Sequence, residues 1–168
     1  MKRLSPGWKK AMLGLHLTFT GILLGCTAVI VVLVIASLVT EDEDVLRASY
    51  TVMHLLATSS IRASSIGSVV TGVILSVFTH WGLLRYYWIV YKIIMTALSV
   101  AVGVVGFYYW SLNGVTMIAE EGMRALDDPA FVMNNQQLWL GLVFQVLSLV
   151  SMVFVSVFKP WGKRVSRV

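Results

Sequence analysis

No long apolar stretch of this chain contains an acidic residue, and charge of either sign is scarce. Only 12% of the 168 residues are Asp, Glu, Lys or Arg, while 58% are hydrophobic; a typical soluble domain carries about 25% charged residues. So few charges cannot cover a water-facing surface, which makes lipid the solvent for much of the chain. Cysteine is nearly absent too. The single Cys26 excludes an intrachain disulfide and any multi-cysteine metal site, and within an apolar run it reads as a small buried hydrophobe. Nothing in the sequence has the form of a P-loop, a Gly-rich nucleotide loop, a Ser-His-Asp set or a zinc-ligand cluster.

What is present is apolar length. Four segments, at about 8–39, 43–79, 86–110 and 136–158, each reach the ~20 residues needed to cross ~30 Å of hydrocarbon. Valine-rich runs such as Val29 to Val34 would favour strands in water. In lipid a spanning segment must satisfy its own backbone, so helix wins. The basic N-terminus has the look of a signal peptide. However, the apolar run from Ala11 to Val39 far exceeds the roughly 7–15 residues of a signal core, which predicts a retained first helix.

Thr40-Glu41-Asp42-Glu43 has the form of a capping box, so helices one and two should make a tight antiparallel hairpin. A second short turn falls around Arg85. Residues 111–135 read as the one real loop, broken at Asp128-Pro129. In it Val115, Ile118 and Gly122 oppose Glu120, Glu121 and Arg124, the pattern of a short amphipathic surface helix.

Charge sets the orientation. Lys2, Arg3, Lys9, Lys10, Arg85, Lys92, Lys159, Lys163, Arg164 and Arg167 fall at one end of this arrangement. All 8 acidic residues, from Glu41 to Asp44 and from Glu120 to Asp128, fall at the other. The basic end is expected to face the cytoplasm. Trp8, Trp81, Trp88 and Trp161 mark that interface, and Tyr50, Tyr108, Tyr109, Trp110 and Trp139 mark the opposite one. The expectation is a single all-α domain, an integral membrane four-helix bundle with both termini inside (N-in/C-in), in a cytoplasmic (inner) membrane. The bilayer is its expected partner, together with a second copy or a membrane subunit. The basic tail from Lys159 to Arg167 reads as a topology signal and lipid contact, with no nucleic-acid role.

Small residues let helix backbones approach closely where lipid supplies no hydrophobic drive. Ser60, Ser64, Ser68, Gly72 and Ser76 recur every fourth residue on helix two, and Gly21 and Gly25 share that spacing on helix one. This predicts that helix two is the central packing element, with helix one against its stripe.

Candidate chemistry rests on few residues. Arg62 lies near the expected midplane, where a charge costs from ~2.5 to 10 kcal/mol or more. With no carboxylate at that depth, its partners are Thr58, Ser59, Ser65, backbone carbonyls, water, or the anionic group of a ligand, such as a propionate or a lipid headgroup. Three histidines follow. His16 is about 12 Å above the inner belt, His80 is at that belt, and His54 is about 39 Å from His80 along the same helix, at ~1.5 Å per residue. Haem b in a helical bundle commonly takes histidines from facing helices. No pair lies at one level unless strong tilt brings His16 and His80 together, which leaves a single-ligand site open. Gln145 reads as helix-helix glue or a site, and Lys92 can snorkel to the inner surface.

Two stretches carry a resemblance. One is Trp8-Lys9-Lys10 followed by Leu15-His16 and Gly21. The other is Thr71-Gly72, then His80-Trp81-Gly82-Leu83-Leu84-Arg85-Tyr86-Tyr87-Trp88 and Lys92. They resemble a group of uncharacterised bacterial four-helix membrane proteins with a tryptophan-glycine turn before a helix that opens W-x-x-x-K. That group is distantly similar to the copper-resistance D family and to HemJ-type protoporphyrinogen oxidases, small helical bundles with a histidine in helix one. The resemblance covers about residues 8–110. It implies a four-helix bundle with a haem or porphyrin role at His16. Three functions therefore stand as expectations. One is a redox protein binding haem b, with His16 as metal ligand, His80 as a further cofactor-binding residue and Arg62 on a propionate. The others are a small permease or channel with a polar path at Arg62, and a non-catalytic assembly subunit.

Overall fold

A computed structural model describes residues 4–79 and 81–164. Four helices are long and apolar enough to cross a membrane: α1 (Pro6–Val39), α2 (Glu43–Val77), α3 (Tyr87–Asp127) and α4 (Pro129–Phe158). They run up and down in chain order. Each helix packs on its sequence neighbours, and α1 closes the ring against α4. Among the described residues there are no strands, only an isolated bridge between Tyr86 and Lys163. That bridge, with the Leu4 amide on the Phe78 carbonyl (3.2 Å) and the Arg164 amide on the Arg85 carbonyl (2.9 Å), gathers Leu4, the segment at Lys163–Arg164 and the α2–α3 turn at one pole. We call it the basic pole. Trp81 packs edge-on against Tyr86 and Trp88 there, with centroids 5.3 and 5.2 Å apart.

At the opposite, acidic pole the structure corrects two expectations. Asp42, not Thr40, is the N-cap of α2. Its Oδ1 accepts from the amides of Asp44 (2.8 Å) and Val45 (3.4 Å), while Thr40 Oγ1 accepts only from the Asp42 amide (3.1 Å). Glu43 does not reach back; it pairs with Arg47 one turn on, at 2.7 Å. An Asp one residue before the first helical position satisfies the free amides directly, so the helix starts there.

The second correction concerns 111–135, which is not a loop. Helical structure from α3 carries on through Glu121, turns at Gly122 (φ 59°), and α4 begins at Pro129 with Asp128 as its cap. The polar residues that suggested a loop pair across the two helices instead. Asn134 Nδ2 donates to the Trp110 carbonyl (2.9 Å), Asn113 Nδ2 to Asn134 Oδ1 (3.4 Å) and Trp110 Nε1 to Gln137 Oε1 (3.1 Å). Ile118 is buried with Leu46, Tyr50, Ala125 and Phe131 in the core. The surface helix expected here is therefore the last part of α3, with its apolar face turned inward.

The small-residue stripe is also used differently. Gly21 and Gly25 face outward with nothing near them; α1 instead buries Leu23, Thr27, Ile30, Val34 and Ser37. Close approach comes from glycines of α2. A methyl on Gly67 would fall 2.7 Å from the Phe19 ring, and one on Gly72 would fall 3.3 Å from His16. Large side chains of α1 fill notches in α2, so the contact is knob-into-notch and not backbone on backbone.

Candidate functional site

Two π-helical turns interrupt the bundle, Ala57–Ile61 in α2 and Ala101–Gly106 in α3. Each inserts an extra residue into the hydrogen-bond ladder, a distortion found often at functional sites. The two turns pack against each other. Facing them from α4 is Gln145, fully buried, with neither Nε2 nor Oε1 bonded to any described group. Gly103 makes room for it: a methyl there would lie 3.4 Å from Gln145 Nε2 and 3.6 Å from Ile61.

Gln145 belongs to a polar seam between α3 and α4. Toward the basic pole, Ser99 and Ser148 share a hydroxyl hydrogen bond of 2.6 Å, both buried. Next, Thr96 Oγ1 donates to Met152 Sδ (3.4 Å) and Tyr91 shares a bond with Ser151 (2.8 Å). Lys92 Nζ donates to Ser156 Oγ at 2.8 Å. Toward the acidic pole the seam is closed by Trp110. Its ring fills the space left by two glycines, and a methyl would fall 2.7 Å from it at Gly106 and 2.3 Å at Gly141. The chemistry available is that of neutral hydroxyl and amide groups, with an ammonium at one end and an aromatic ring at the other.

His16 sits elsewhere, between α1 and α2. Its Nδ1 is 3.1 Å from the Ser68 carbonyl and 3.0 Å from Thr71 Oγ1. The Thr71 proton goes to the Gly67 carbonyl at 2.6 Å, and a carbonyl can only accept. Nδ1 is therefore the protonated nitrogen, and the lone pair of the neutral ring is on Nε2. By the same logic His54 donates from Nδ1 to Ser111 Oγ (3.0 Å), whose own proton goes to the Phe107 carbonyl (2.6 Å).

Arg62 is exposed on the outside of the bundle, its guanidinium carbon 5.6 Å from the Tyr108 ring centroid. It does not line the seam: the polar side chains that line up inside the bundle are on α3 and α4, and Arg62 is not among them. Nor does it share a site with His16. The residues that His16 touches, Ser68, Thr71 and Gly72, are about 9–15 Å further along α2 and on faces turned well away from Arg62, at ~100° per residue. One porphyrin reaching both residues has no support in this arrangement. His80 lies outside the described residues. Among those described, no three His, Cys, Asp or Glu side chains group as a metal site.

The seam was only partly legible in advance. Lys92, Thr96, Ser99, Gly103, Gly106 and Trp110 follow a 4-3-4-3-4 spacing, the signal of one helix face. Comparison with protein families, with curated proteins and with solved structures finds no match.

Proposed function

We propose that the protein is a small permease-like protein of the bacterial cytoplasmic membrane. Its basic pole faces the cytoplasm, and a small neutral or anionic polar solute crosses along the α3–α4 seam. The observation that carries this reading is Gln145, buried with both amide atoms unbonded. An amide without partners in an apolar setting costs roughly 2–7 kcal/mol by transfer scales. Helix-helix glue would use those atoms to bond a neighbouring helix; a transient binding group leaves them open for a solute. Trp110 is then the plug and Lys92 the charge that disfavours cations. The basic-pole orientation rests on the excess of Lys and Arg there.

The test is stopped-flow light scattering of proteoliposomes challenged with water, urea, glycerol and formate. One or more of these should equilibrate faster than in empty vesicles, faster again in Trp110→Ala, and at the empty-vesicle rate in Gln145→Leu. Rates equal to empty vesicles for all four would remove the reading and favour an assembly role, in which the chain co-purifies with a larger partner.

A second reading rests on His16. A histidine whose Nδ1–H is held by a carbonyl presents Nε2 in the form a metal ion takes, in keeping with the family resemblance and its haem or porphyrin role. His16 is the residue of this chain that would hold haem b, which would supply one-electron redox chemistry. An absorption spectrum of the purified protein, oxidised and dithionite-reduced, decides it. A Soret band with reduced b-type peaks, lost in His16→Ala, supports haem; a featureless spectrum removes it.

A further inference from the structure

Arg62 is left over from both readings. It lies on α2 fifteen residues before Val77, about 22 Å into the helix from the basic pole at ~1.5 Å per residue. His54 is two turns nearer the acidic pole. Both side chains meet the same ring: His54 is 5.4 Å from the Tyr108 centroid and Arg62 is 5.6 Å. The arginine therefore reaches toward the acidic pole and ends on the Tyr108 ring, one residue before Tyr109 and Trp110 on α3. A snorkelling arginine takes this posture beneath an aromatic girdle.

Its local hydroxyls turn elsewhere. Thr58 Oγ1 donates to the His54 carbonyl (2.9 Å), and the Ser59 hydroxyl donates to the Leu55 carbonyl. Ser65 Oγ is buried and unbonded. Among the described residues Arg62 has no ion pair or hydrogen bond, only the tyrosine face beneath it. The guanidinium edge, with its fork of N–H donors, stays open to the membrane. Around it are exposed apolar side chains: Ile66 (58%) and Leu55 (61%) on α2, Val105 (53%) on α3.

We propose that this face binds an anionic phospholipid of the leaflet at the acidic pole. The Arg62 fork takes two phosphate oxygens, and the acyl chains lie along Ile66 and Val105. Phosphate geometry matches the fork, and desolvation in the bilayer strengthens the contact. A second copy of the chain fits less well. Every acidic residue falls between Glu41 and Asp44 or between Glu120 and Asp128, so a second copy has no carboxylate at the depth of Arg62. The proposal does not depend on transport, since Gln145 points into the bundle and Arg62 out of it.

The test is native mass spectrometry of the full chain, released from micelles doped with equal phosphatidylglycerol and phosphatidylcholine. The wild type should retain the anionic lipid over the zwitterionic one about fivefold. Arg62→Gln should lower that ratio severalfold, to what the basic pole retains by itself, and Arg62→Lys should give an intermediate value. Millimolar inorganic phosphate should not displace the lipid. Parity in the wild type, which needs no variant, overturns the proposal. So does an unchanged ratio in Arg62→Gln, displacement by inorganic phosphate, or a lipid-free dimer that Arg62→Gln dissolves.

Discussion

Replacing Gln145 by leucine separates a binding group from a structural one. In the wild type the amide is fully buried with both polar atoms unbonded. Protein substitution series put the cost of such a group at about 1–3 kcal/mol. Leucine is apolar and of comparable size, still lies against Gly103, and removes both orphan atoms. Most core substitutions destabilise by about 1 kcal/mol; this one should stabilise by about 1–3 kcal/mol. For a chain of this size that is a rise in Tm of about 2–12 °C. The assay is thermal unfolding in detergent, followed by helical circular dichroism, with solute flux measured on the same preparations. Higher Tm with lost flux is the expected pair. A fall in Tm would refute the reasoning, because it would mean that Gln145 makes bonds that hold the folded bundle together.

The other predictions concern the scaffold. Gly114 faces the Tyr50 ring, and a methyl there would fall 2.1 Å from it. Gly114→Ala should therefore overpack a well-filled core and cost about 1–3 kcal/mol, read as a lowered Tm. Gly21→Leu and Gly25→Leu have open space around them and improve helix propensity. They should leave Tm unchanged or slightly raised, whereas a loss of a few degrees would place these glycines in an interface after all. Asp42→Ala removes two capping bonds from α2 and should cost about 1 kcal/mol. Thr40→Ala, which caps no free amide of the helix, should cost clearly less in the same melt. Thr71→Val leaves His16 one acceptor, the Ser68 carbonyl, and should lower stability by about 0.6 kcal/mol, the usual size of an interhelical bond in a membrane bundle.

The sequence alone determined the number of spanning helices, their up-and-down order and the charge difference between the poles. Those follow from bilayer thickness, backbone satisfaction and the placement of Lys, Arg, Asp and Glu, none of which needs a partner helix. It also showed that Arg62 and Gln145 are unusual, because polar groups inside a span are costly wherever they point. Tertiary structure alone decided where they point. Arg62 turns outward onto Tyr108, and Gln145 inward onto Gly103. A π-helical turn shifts every later residue of α2 and α3 by about 100° relative to an unbroken helix, and nothing in the small-residue pattern marks such a turn. The same limit explains Gly21 and Gly25. A four-residue spacing defines a face of a helix, but only the neighbouring side chains, here Phe19 and His16 seated against Gly67 and Gly72, determine which face is covered.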